Sequence, residues 1–409
     1  AVAANPVINT WMGDDDFHGG AMRLINYDYY FEQESVRGDG GDLWRAAYDD
    51  YDTFLRAGSA SDFVRAWGLD QLPYVRRLHD HPAYDAYWKA QALETILPRQ
   101  PQTVPTLWVA GQWDQEDMYG AIAAFQAVHA HDPQGVNHLV IGPWRHLGWE
   151  GDGSKLGPIR FDADTALWFR KAVLIPFLDS HLKNEAAAVD LPPVLAFQTG
   201  TNRWQRLQGW PQSCAQGCTS TPSSLYLQPG GGLAFAPPGD GAEADDYVSD
   251  PTKPVPYRIR PIRPAGASDS TWERWLVDDQ RPFSDRPDVL VYETPPLKLA
   301  VAMAGAPVVN LIASTTGTDG DFVVKLIDVY PDEYPEKREL GGYELAIGMD
   351  IFRGRYRQSF EKAEPITPGN PLLYRFSLPH ANHVFLPGHR IMVQIQSSWL
   401  PLYDRNPQK

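Results

Sequence analysis

Residues 103 to 144 read as a strand, a helix and a second strand, and this unit restricts the fold more than any other stretch. The segments 103–111, "TVPTLWVAG", and 136–144, "VNHLVIGPW", are mostly apolar runs typical of strands buried on both faces. Between them, 118–130 shows helical spacing of apolar residues. A helical crossover of this kind joins parallel neighbouring strands. With a further helix predicted at 164–183, the pattern indicates a parallel α/β sheet covered by helices.

Changes in local pattern divide the chain into four predicted segments. Residues 1–21 form a first part of the α/β core, with a short strand expected at 4–11, and residues 103–185 continue that core. Residues 22–102 contain helical patterns broken by glycines and are predicted to be a helical insertion. From 186 to 409, short β-rich runs alternate with Pro, Gly and Asp clusters, which is typical of an antiparallel sandwich or jelly roll. The predicted fold class is therefore α/β followed by all-β.

Charge and hydropathy exclude two kinds of partner. The chain has 36 Lys and Arg against 51 Asp and Glu, a formal net charge of −15. Such a surface repels phosphate backbones, so nucleic acid is not an expected partner, whereas a small cation would be attracted. The longest apolar stretch, 299–314, is too short to cross a membrane and contains Pro307 and Asn310. We expect two strands there, joined by a turn at 305–307.

An acid and a histidine each follow one of the two buried strands. Asp114 lies in "GQWDQED" after the first strand, and His146 lies in "GPWRHLG" after the second. Side chains that follow adjacent parallel strands meet at one edge of the sheet, where ligands of α/β proteins bind. An Asp there can orient an imidazole that accepts a nucleophile's proton. The alternative is an acid that caps a helix and an unrelated surface histidine.

Several more carboxylates occur in two of these loops. Asp14, Asp15 and Asp16 follow the first predicted strand, and Glu116 and Asp117 follow Asp114. Two bare charges about 4 Å apart cost on the order of 4 kcal/mol at a partly exposed site, so a proton or a cation must relieve them. Calcium and a substrate ammonium are both candidates. Helix capping by individual acids, in particular Asp117 and Asp14, is the remaining alternative.

The two cysteines, Cys214 and Cys218, are three residues apart in "SCAQGC". They could form a short-loop disulfide, which would indicate an oxidising compartment, or remain two thiols. Half of a metal site is a third possibility, although no second Cys pair or nearby His completes a zinc set.

A hydrolase nucleophile is not found in the sequence. No Gly-x-Ser-x-Gly-like turn lies between a strand and a helix. In the α/β-hydrolase order this turn would precede the first strand of the chain, so we expect the serine upstream of Ala1. The sequence also starts without an initiator Met or a signal peptide, and we therefore expect a fragment or a mature chain that would be inactive by itself.

Long stretches of the sequence closely resemble the bacterial α-amino acid ester hydrolases, which belong with the cocaine-esterase-like and X-Pro dipeptidyl-peptidase-like serine hydrolases. The resemblance covers essentially the whole chain and is carried by "TWMGDDDFHGGAMR", "LWVAGQWDQEDMYGAI", "VIGPWRHLGWEGDGSKLGP" and "HRIMVQIQSSWLPLYDRNPQK". It implies an α/β-hydrolase core, a helical cap and a C-terminal jelly roll.

The same resemblance implies roles for individual residues. Asp114 matches the acid of the catalytic triad, and His146 matches its base. Asp15, Glu116 and Asp117 match the carboxylates that receive the α-ammonium group of the substrate.

The implied reaction is acyl transfer from an α-amino ester or amide to water, or to a β-lactam nucleus, without a cofactor or metal. Members of the family are typically periplasmic tetramers, with which a Cys214–Cys218 disulfide would be compatible. Asp16 departs from the family, where an aromatic residue is expected, and this puts the acyl pocket in doubt.

Two kinds of alternative remain open. Within the superfamily, the chain could be a glutaryl-cephalosporin acylase, a cocaine-esterase-like esterase or an X-Pro dipeptidyl-peptidase. Outside it, the β-rich part could be a non-catalytic sugar-binding module with Trp399 and Tyr403 as platform aromatics.

Overall fold

The computed structural model describes residues 1–35, 37, 43–184, 189–211, 222–241 and 244–406. Within these ranges the first part of the chain contains a five-stranded sheet in the order β1-β4-β5-β8-β9, parallel except for β9. Two short hairpins, β2–β3 and β6–β7, lie outside this sheet. The strands are β1 (Val2–Ala4), β2 (Phe17–His18), β3 (Ala21–Met22), β4 (Thr106–Gly111), β5 (Asn137–Gly142), β6 (Lys155–Leu156), β7 (Ile159–Arg160), β8 (Val194–Gln198) and β9 (Arg203–Leu207).

Helices cover both faces of this sheet, which explains the continuous apolar run of β4. Trp108 and Ala110 pack with residues of the helix between β4 and β5, whereas Leu107 and Val109 pack with the helices after β7. Successive residues of a strand point to opposite faces, so a strand covered on both sides must be apolar throughout. The predicted strand–helix–strand unit is confirmed.

The helices around the sheet fall into two groups. Between residues 22 and 102 the structure describes the predicted helices, held together by stacked aromatic rings such as Phe54 and Phe63, whose centroids are 4.4 Å apart. The predicted long helix at 164–183 is interrupted by a π-helical turn, Arg170–Leu174. The helices are α1 (Tyr27–Ser35), α2 (Asp50–Ala57), α3 (Ala60–Ala66), α4 (Pro73–Asp80), α5 (Ala86–Lys89), α6 (Leu93–Ile96), α7 (Gly120–His129), α8 (Thr165–Phe169) and α9 (Ile175–Leu182), with 3₁₀ turns at Leu69–Gln71 and Leu97–Arg99.

The strand predicted at residues 4–11 is wrong. β1 ends at Ala4, and Asn5 adopts a left-handed conformation with φ of 47°. Pro6 follows, and it has no N–H with which to continue a strand ladder. The chain therefore leaves the sheet at Asn5, which places the Asn5 side chain at the end of β1.

The second part of the chain is a β-sandwich that is antiparallel except for the short parallel pairing of β11 with β12. A six-stranded sheet in the order β10-β11-β12-β19-β15-β16 packs against the pairs β13–β18 and β14–β17. Phe352 of β16 stacks on Phe376 of β17 with ring centroids 4.9 Å apart. The strands are β10 (Tyr226–Gln228), β11 (Gly232–Ala234), β12 (Leu290–Glu293), β13 (Val301–Gly305), β14 (Val308–Ala313), β15 (Asp321–Val329), β16 (Glu344–Arg353), β17 (Leu372–Ser377), β18 (Ala381–Phe385) and β19 (Arg390–Gln396).

Short helices connect the sandwich strands. Of the β-rich region predicted from residue 186 onward, β8 and β9 belong to the α/β sheet instead of the sandwich, because β8 pairs with β5. The helices are α10 (Arg281–Ser284) and the 3₁₀ turns Pro229–Gly231, Trp272–Val277, Arg338–Leu340 and Gly354–Tyr356. The two strands predicted within 299–314 are β13 and β14. The predicted fold class, α/β followed by all-β, is confirmed, while the exact segment boundaries stay predictions. Of the helices in the described ranges, none has the length and apolar content needed to cross a bilayer.

The N-terminal end of α7 packs directly on the loop after β1, and this contact can be tested. A Cβ at Gly120 would lie 1.9 Å from the Pro6 carbonyl oxygen. In an open helix Gly→Ala would stabilise by up to about 1 kcal/mol. Here we expect Gly120→Ala to lower the free energy of unfolding by about 1–3 kcal/mol, because the helix and loop must separate. Urea denaturation measures the change.

Gly151→Ala is the matched control, because a Cβ at Gly151 has no neighbour within 4 Å. Equal unfolding free energies for the two variants would contradict the close approach.

Candidate active site

Asp114 and His146 form a hydrogen-bonded pair at the carboxyl edge of the parallel sheet. His146 Nδ1 lies 3.1 Å from Asp114 Oδ1. Asp114 is fully buried, and the same oxygen accepts the backbone N–H groups of Glu116 at 2.9 Å and Asp117 at 3.0 Å. The side-chain amide of Asn5 donates to Asp114 Oδ2. The loops after β1, β4 and β5 therefore converge on one carboxylate.

The surroundings of His146 favour its protonated form. Burial lowers the pKa of His146, but the hydrogen bond that its ring donates to Asp114 and the charges of Asp114, Glu116 and Asp15 together raise it above its ordinary value. The Gln115 side-chain oxygen accepts the backbone N–H of His146 at 3.1 Å and ties the loops after β4 and β5 together. In the neutral imidazole, Nδ1 donates to Asp114 and Nε2 is the proton acceptor.

Glu116 and Asp117 lie on either side of the imidazole. Glu116 Oε2 is 3.6 Å from His146 Nε2, and Asp117 Oδ2 is 3.4 Å from His146 Nδ1. Asp117 is buried, and its Oδ1 has no hydrogen-bond partner among the described residues. Burial, followed by the charges of Asp15 and Asp114, raises the pKa of Asp117 to about 10. The carboxylate cluster therefore favours holding a proton.

Asp15 joins this cluster from the loop after β1. Burial raises the pKa of Asp15, Arg23 lowers it, and the charge of Glu116 raises it again, with a raised pKa as the result. The charge of Asp15 also acts on Asp117 and His146. The structure thus brings together the acid, the base and the carboxylates that the sequence singled out.

Asp14 and Asp16, the neighbours of Asp15, point elsewhere. Asp14 Oδ1 accepts the backbone N–H of Gly120 at 2.9 Å, so this buried acid caps α7, the helix that follows Asp117. Asp16 is buried against the helical insertion and accepts the hydroxyl of Tyr74 at 2.6 Å. The helix-capping alternative is confirmed for Asp14. The N-cap residue of α7 is Tyr119 and not Asp117, and the Tyr119 side chain makes no capping bond.

Two residues at the site carried no signal in the sequence. Arg23 is buried and donates to the main-chain carbonyls of Gln115 at 2.6 Å and Glu116 at 3.2 Å. Trp272 Nε1 donates to Glu116 Oε1 at 2.9 Å. A lone Arg after a β-hairpin and a Trp 156 positions away from its partner show no motif or spacing that could reveal these contacts.

Other predicted residues fall outside this site. Cys214 and Cys218 lie outside the described residues. Trp399 and Tyr403 are both buried and stack with ring centroids 5.8 Å apart, so they are core residues and not a sugar platform. In the ranges described above, no group of three or more His, Cys, Asp or Glu side chains is arranged to hold a metal ion.

Two family models match the chain. Residues 1–148 match X-Pro dipeptidyl-peptidase (S15 family), and residues 186–409 match the X-Pro dipeptidyl-peptidase C-terminal non-catalytic domain. The second match alone covers more than half of the chain. The chain belongs to the X-Pro dipeptidyl-peptidase (S15) family. This confirms the family to which the sequence resemblance pointed.

Three relatives of this S15-family chain are similar over most of its length. The solved structure of an α-amino acid ester hydrolase labelled with selenomethionine is 52% identical, with a TM-score of 0.97, over 100% of this chain and 67% of that chain. An aminopeptidase from the marine sediment archaeon Thaumarchaeota archaeon is 47% identical, with a TM-score of 0.95, over 100% of this chain and 66% of that chain. The cocaine esterase of Rhodococcus sp. is 31% identical over 83% of this chain and 55% of that protein.

These similarities confirm the α/β-hydrolase type of core. The chain spans about half the length of the curated relative and about two thirds of the two solved chains.

The Asp114–His146 pair predicts a measurable titration. Asp114→Asn removes a charge and the acceptor that favours the imidazolium, so we expect the pKa of His146 to fall by about one unit or more. Because the pairing raises the pKa of His146, the imidazolium persists to higher pH in the natural protein, and the variant loses that proton at lower pH. NMR of the natural protein with ¹³C-labelled histidine measures the shift.

Asp350→Asn is the control, because Asp350 Oδ1 pairs with His18 Nδ1 at 3.0 Å instead of with His146. An unchanged pKa of His146 in the Asp114→Asn protein would contradict the pairing.

Proposed function

We propose that the protein is a serine hydrolase that acts on α-amino acid esters and amides through an acyl-enzyme. The observation that carries the proposal is the placement of Glu116 and Asp117 beside the two nitrogens of an Asp114-oriented imidazole. An oriented imidazole activates a hydroxyl nucleophile. Carboxylates next to it would select an acyl group that carries a positive charge close to the reacting carbonyl.

His146 acts as general base and then as general acid in this reaction. A serine hydroxyl attacks the ester carbonyl carbon while His146 Nε2 accepts its proton. The bond to the alcohol breaks, and the alcohol leaves with that proton. Water repeats the sequence on the acyl-serine and releases the acid. Asp114 holds the imidazole in the tautomer that leaves Nε2 free to accept the proton.

The serine, in this proposal, belongs to the part of the relatives' length that the chain does not span. The relatives support this placement because their chains are longer than the region of similarity.

Asp15, Glu116 and Asp117 bind the α-ammonium group. Their charges act on one another at a partly buried site, so they repel until a proton or cation is present. An ammonium group donates up to three hydrogen bonds and relieves that repulsion. The α-amino acid ester hydrolase and the aminopeptidase among the similar structures agree with a substrate of this class.

An aminopeptidase is the second candidate function. The aminopeptidase from the marine sediment archaeon is 47% identical to this chain. A free α-amino group would be bound in the same way, and the two candidates differ in the leaving group. Comparing an α-amino methyl ester with the matching dipeptide in kcat/KM separates them.

The resemblance to the α-amino acid ester hydrolases also suggests the acyl acceptor, the oligomeric state and the cellular location of this protein. β-Lactam nuclei would replace water as acyl acceptors, so α-amino penicillins and cephalosporins would be both made and cleaved. The protein would be a tetramer in the periplasm or outside the cell.

Selectivity for cationic acyl groups tests the proposal. In the natural protein, Glu116→Gln should reduce kcat/KM for phenylglycine methyl ester by about 10- to 100-fold, because a charge-assisted hydrogen bond is lost. Hydrolysis of phenylacetic acid methyl ester, which lacks the amine, should change by less than about twofold. Steady-state kinetics with both esters measures the ratio.

The exposed acid Glu150 provides the control, since Glu150→Gln changes the net charge equally without touching the cluster. Equal losses on both esters in Glu116→Gln would refute ammonium recognition.

Ligand binding should also release a proton. Burial and the neighbouring acids raise the pKa of Asp117, which favours a bound proton in the unliganded cluster. A bound cation lowers that pKa, and the proton leaves once the pKa falls below the ambient pH. We expect phenylglycinol binding at about pH 7 to release up to about one proton. Calorimetry in two buffers of different ionisation enthalpy measures the release.

2-Phenylethanol, which lacks the amine, and the Asp117→Asn variant should both show none. Binding heats that are identical in the two buffers for the natural protein would rule the coupling out.

A further inference from the structure

Trp272 comes from the all-β region and reaches the carboxylate cluster. Its Nε1 lies 2.9 Å from Glu116 Oε1, and the side chain is buried. The other oxygen of the same carboxyl, Oε2, lies 3.6 Å from His146 Nε2. An indole N–H can only donate, so it binds one oxygen of the carboxyl. Gln115 Nε2 also donates to this oxygen, at 3.3 Å, and the shorter bond from Trp272 leaves the other oxygen of the carboxyl turned towards the imidazole.

Glu273, the residue after Trp272, contacts the loop that carries His146. Arg145 Nη2, directly before His146, lies 3.3 Å from Glu273 Oε1. Glu273 is largely exposed, so this ion pair contributes little energy. The ion pair matters because of where it places the segment that carries Trp272 and Glu273. Two consecutive residues of one segment contact the loops that carry Glu116 and His146.

The segment that carries Trp272 is fixed by the core of the sandwich. Trp272 stacks on Trp275 with ring centroids 6.2 Å apart, and Trp275 meets Trp399 edge-on at 5.6 Å. The hydroxyl of Tyr343, the residue directly before β16, donates to the carbonyl of Val277 at 2.6 Å and fixes the end of the same turn. A side chain that is already immobile loses little further entropy when it holds a partner.

Arg23 supports the indole from the α/β side. Its guanidinium carbon lies 5.9 Å from the centroid of the Trp272 ring, within the range of a cation–π contact. The same guanidinium donates to the main-chain carbonyl of Glu116 at 3.2 Å. Both the backbone and the side chain of Glu116 are thus held, by Arg23 and Trp272 respectively.

We propose that Trp272 is a positioning residue for the recognition of cationic acyl groups, because it fixes the Glu116 carboxyl with Oε2 facing the position beside His146. The proposal rests on the function proposed above. It gives the region that matches the C-terminal non-catalytic domain a direct part in substrate selection. Trp272 does not itself contact the reacting atoms.

Two matched substitutions in the natural protein test this role. Trp272→Phe keeps an aromatic ring and removes the N–H donor. Trp275→Phe makes the same change in the ring stacked on it, whose Nε1 has no hydrogen-bond partner among the described residues. We expect Trp272→Phe to lower kcat/KM for phenylglycine methyl ester about tenfold, mainly through KM. Phenylacetic acid methyl ester should change less than about twofold, and Trp275→Phe should affect both esters alike.

A double-mutant cycle measures the coupling between Trp272 and Glu116, which would be absent if Trp272 had only a structural role. In the Glu116→Gln background, Trp272→Phe should cause no further loss of preference for the amino ester. If Trp272→Phe does not fold, Trp272 can be replaced by benzothienylalanine, which has the shape of tryptophan without the N–H. The expected tenfold loss is the same.

The outcomes separate the two proposals. A natural protein without preference for the amino ester refutes the proposed function and this inference with it. A clear preference that Glu116→Gln abolishes and Trp272→Phe leaves intact refutes the role of Trp272 alone. Equal losses on both esters in Trp272→Phe also refute it.

Discussion

The buried carboxylate of Asp114 is the group on which the site geometry depends. It accepts hydrogen bonds from the side chain of Asn5, from the backbone N–H groups of Glu116 and Asp117, and from His146. A carboxylate with no exposure to water is tolerable only when its oxygens are bonded. These bonds hold three loops in place at once. The left-handed conformation of Asn5, which ends β1 early, places the Asn5 side chain where it can make one of these bonds.

The acidic side chains around the Asp114–His146 pair receive no hydrogen bond from the neighbouring Arg23. Arg23 is the buried cation next to the acids, yet its hydrogen bonds go to main-chain carbonyls, including those of Gln115 and Glu116. Arg23 lowers the pKa of Asp15 by its charge without occupying a carboxylate oxygen. The guanidinium thus makes it possible for the loops to approach one another without bonding the side-chain oxygens of the acids, and among the described residues Asp117 Oδ1 has no hydrogen-bond partner. A site that leaves acids in this state is suited to a cationic ligand.

The sequence predicted those features that follow from local pattern. The apolar run of β4 and the spacing of α7 fix a parallel unit, and its topology places Asp114 near His146 without further information. Local pattern could not distinguish the consecutive acids, and only the family resemblance singled out Asp15, because the turn after β1 directs Asp14 to the start of α7 and Asp16 to the helical insertion. Arg23 and Trp272 could not be found, since their contacts join segments that are distant in sequence.

The β-sandwich does more than enclose the α/β core, because it also holds the residues directly before Asp114. Trp113 Nε1 donates to the carbonyl of Ala346 in β16 at 3.0 Å. The side-chain oxygen of Gln112 accepts the backbone N–H of Asn382 in β18 at 3.2 Å. A loop fixed at one end by β4 and along its side by two sandwich strands has little freedom to rotate. The position of the Asp114 carboxylate, and with it the orientation of the imidazole, therefore depends on the packing of the two parts of the chain against each other.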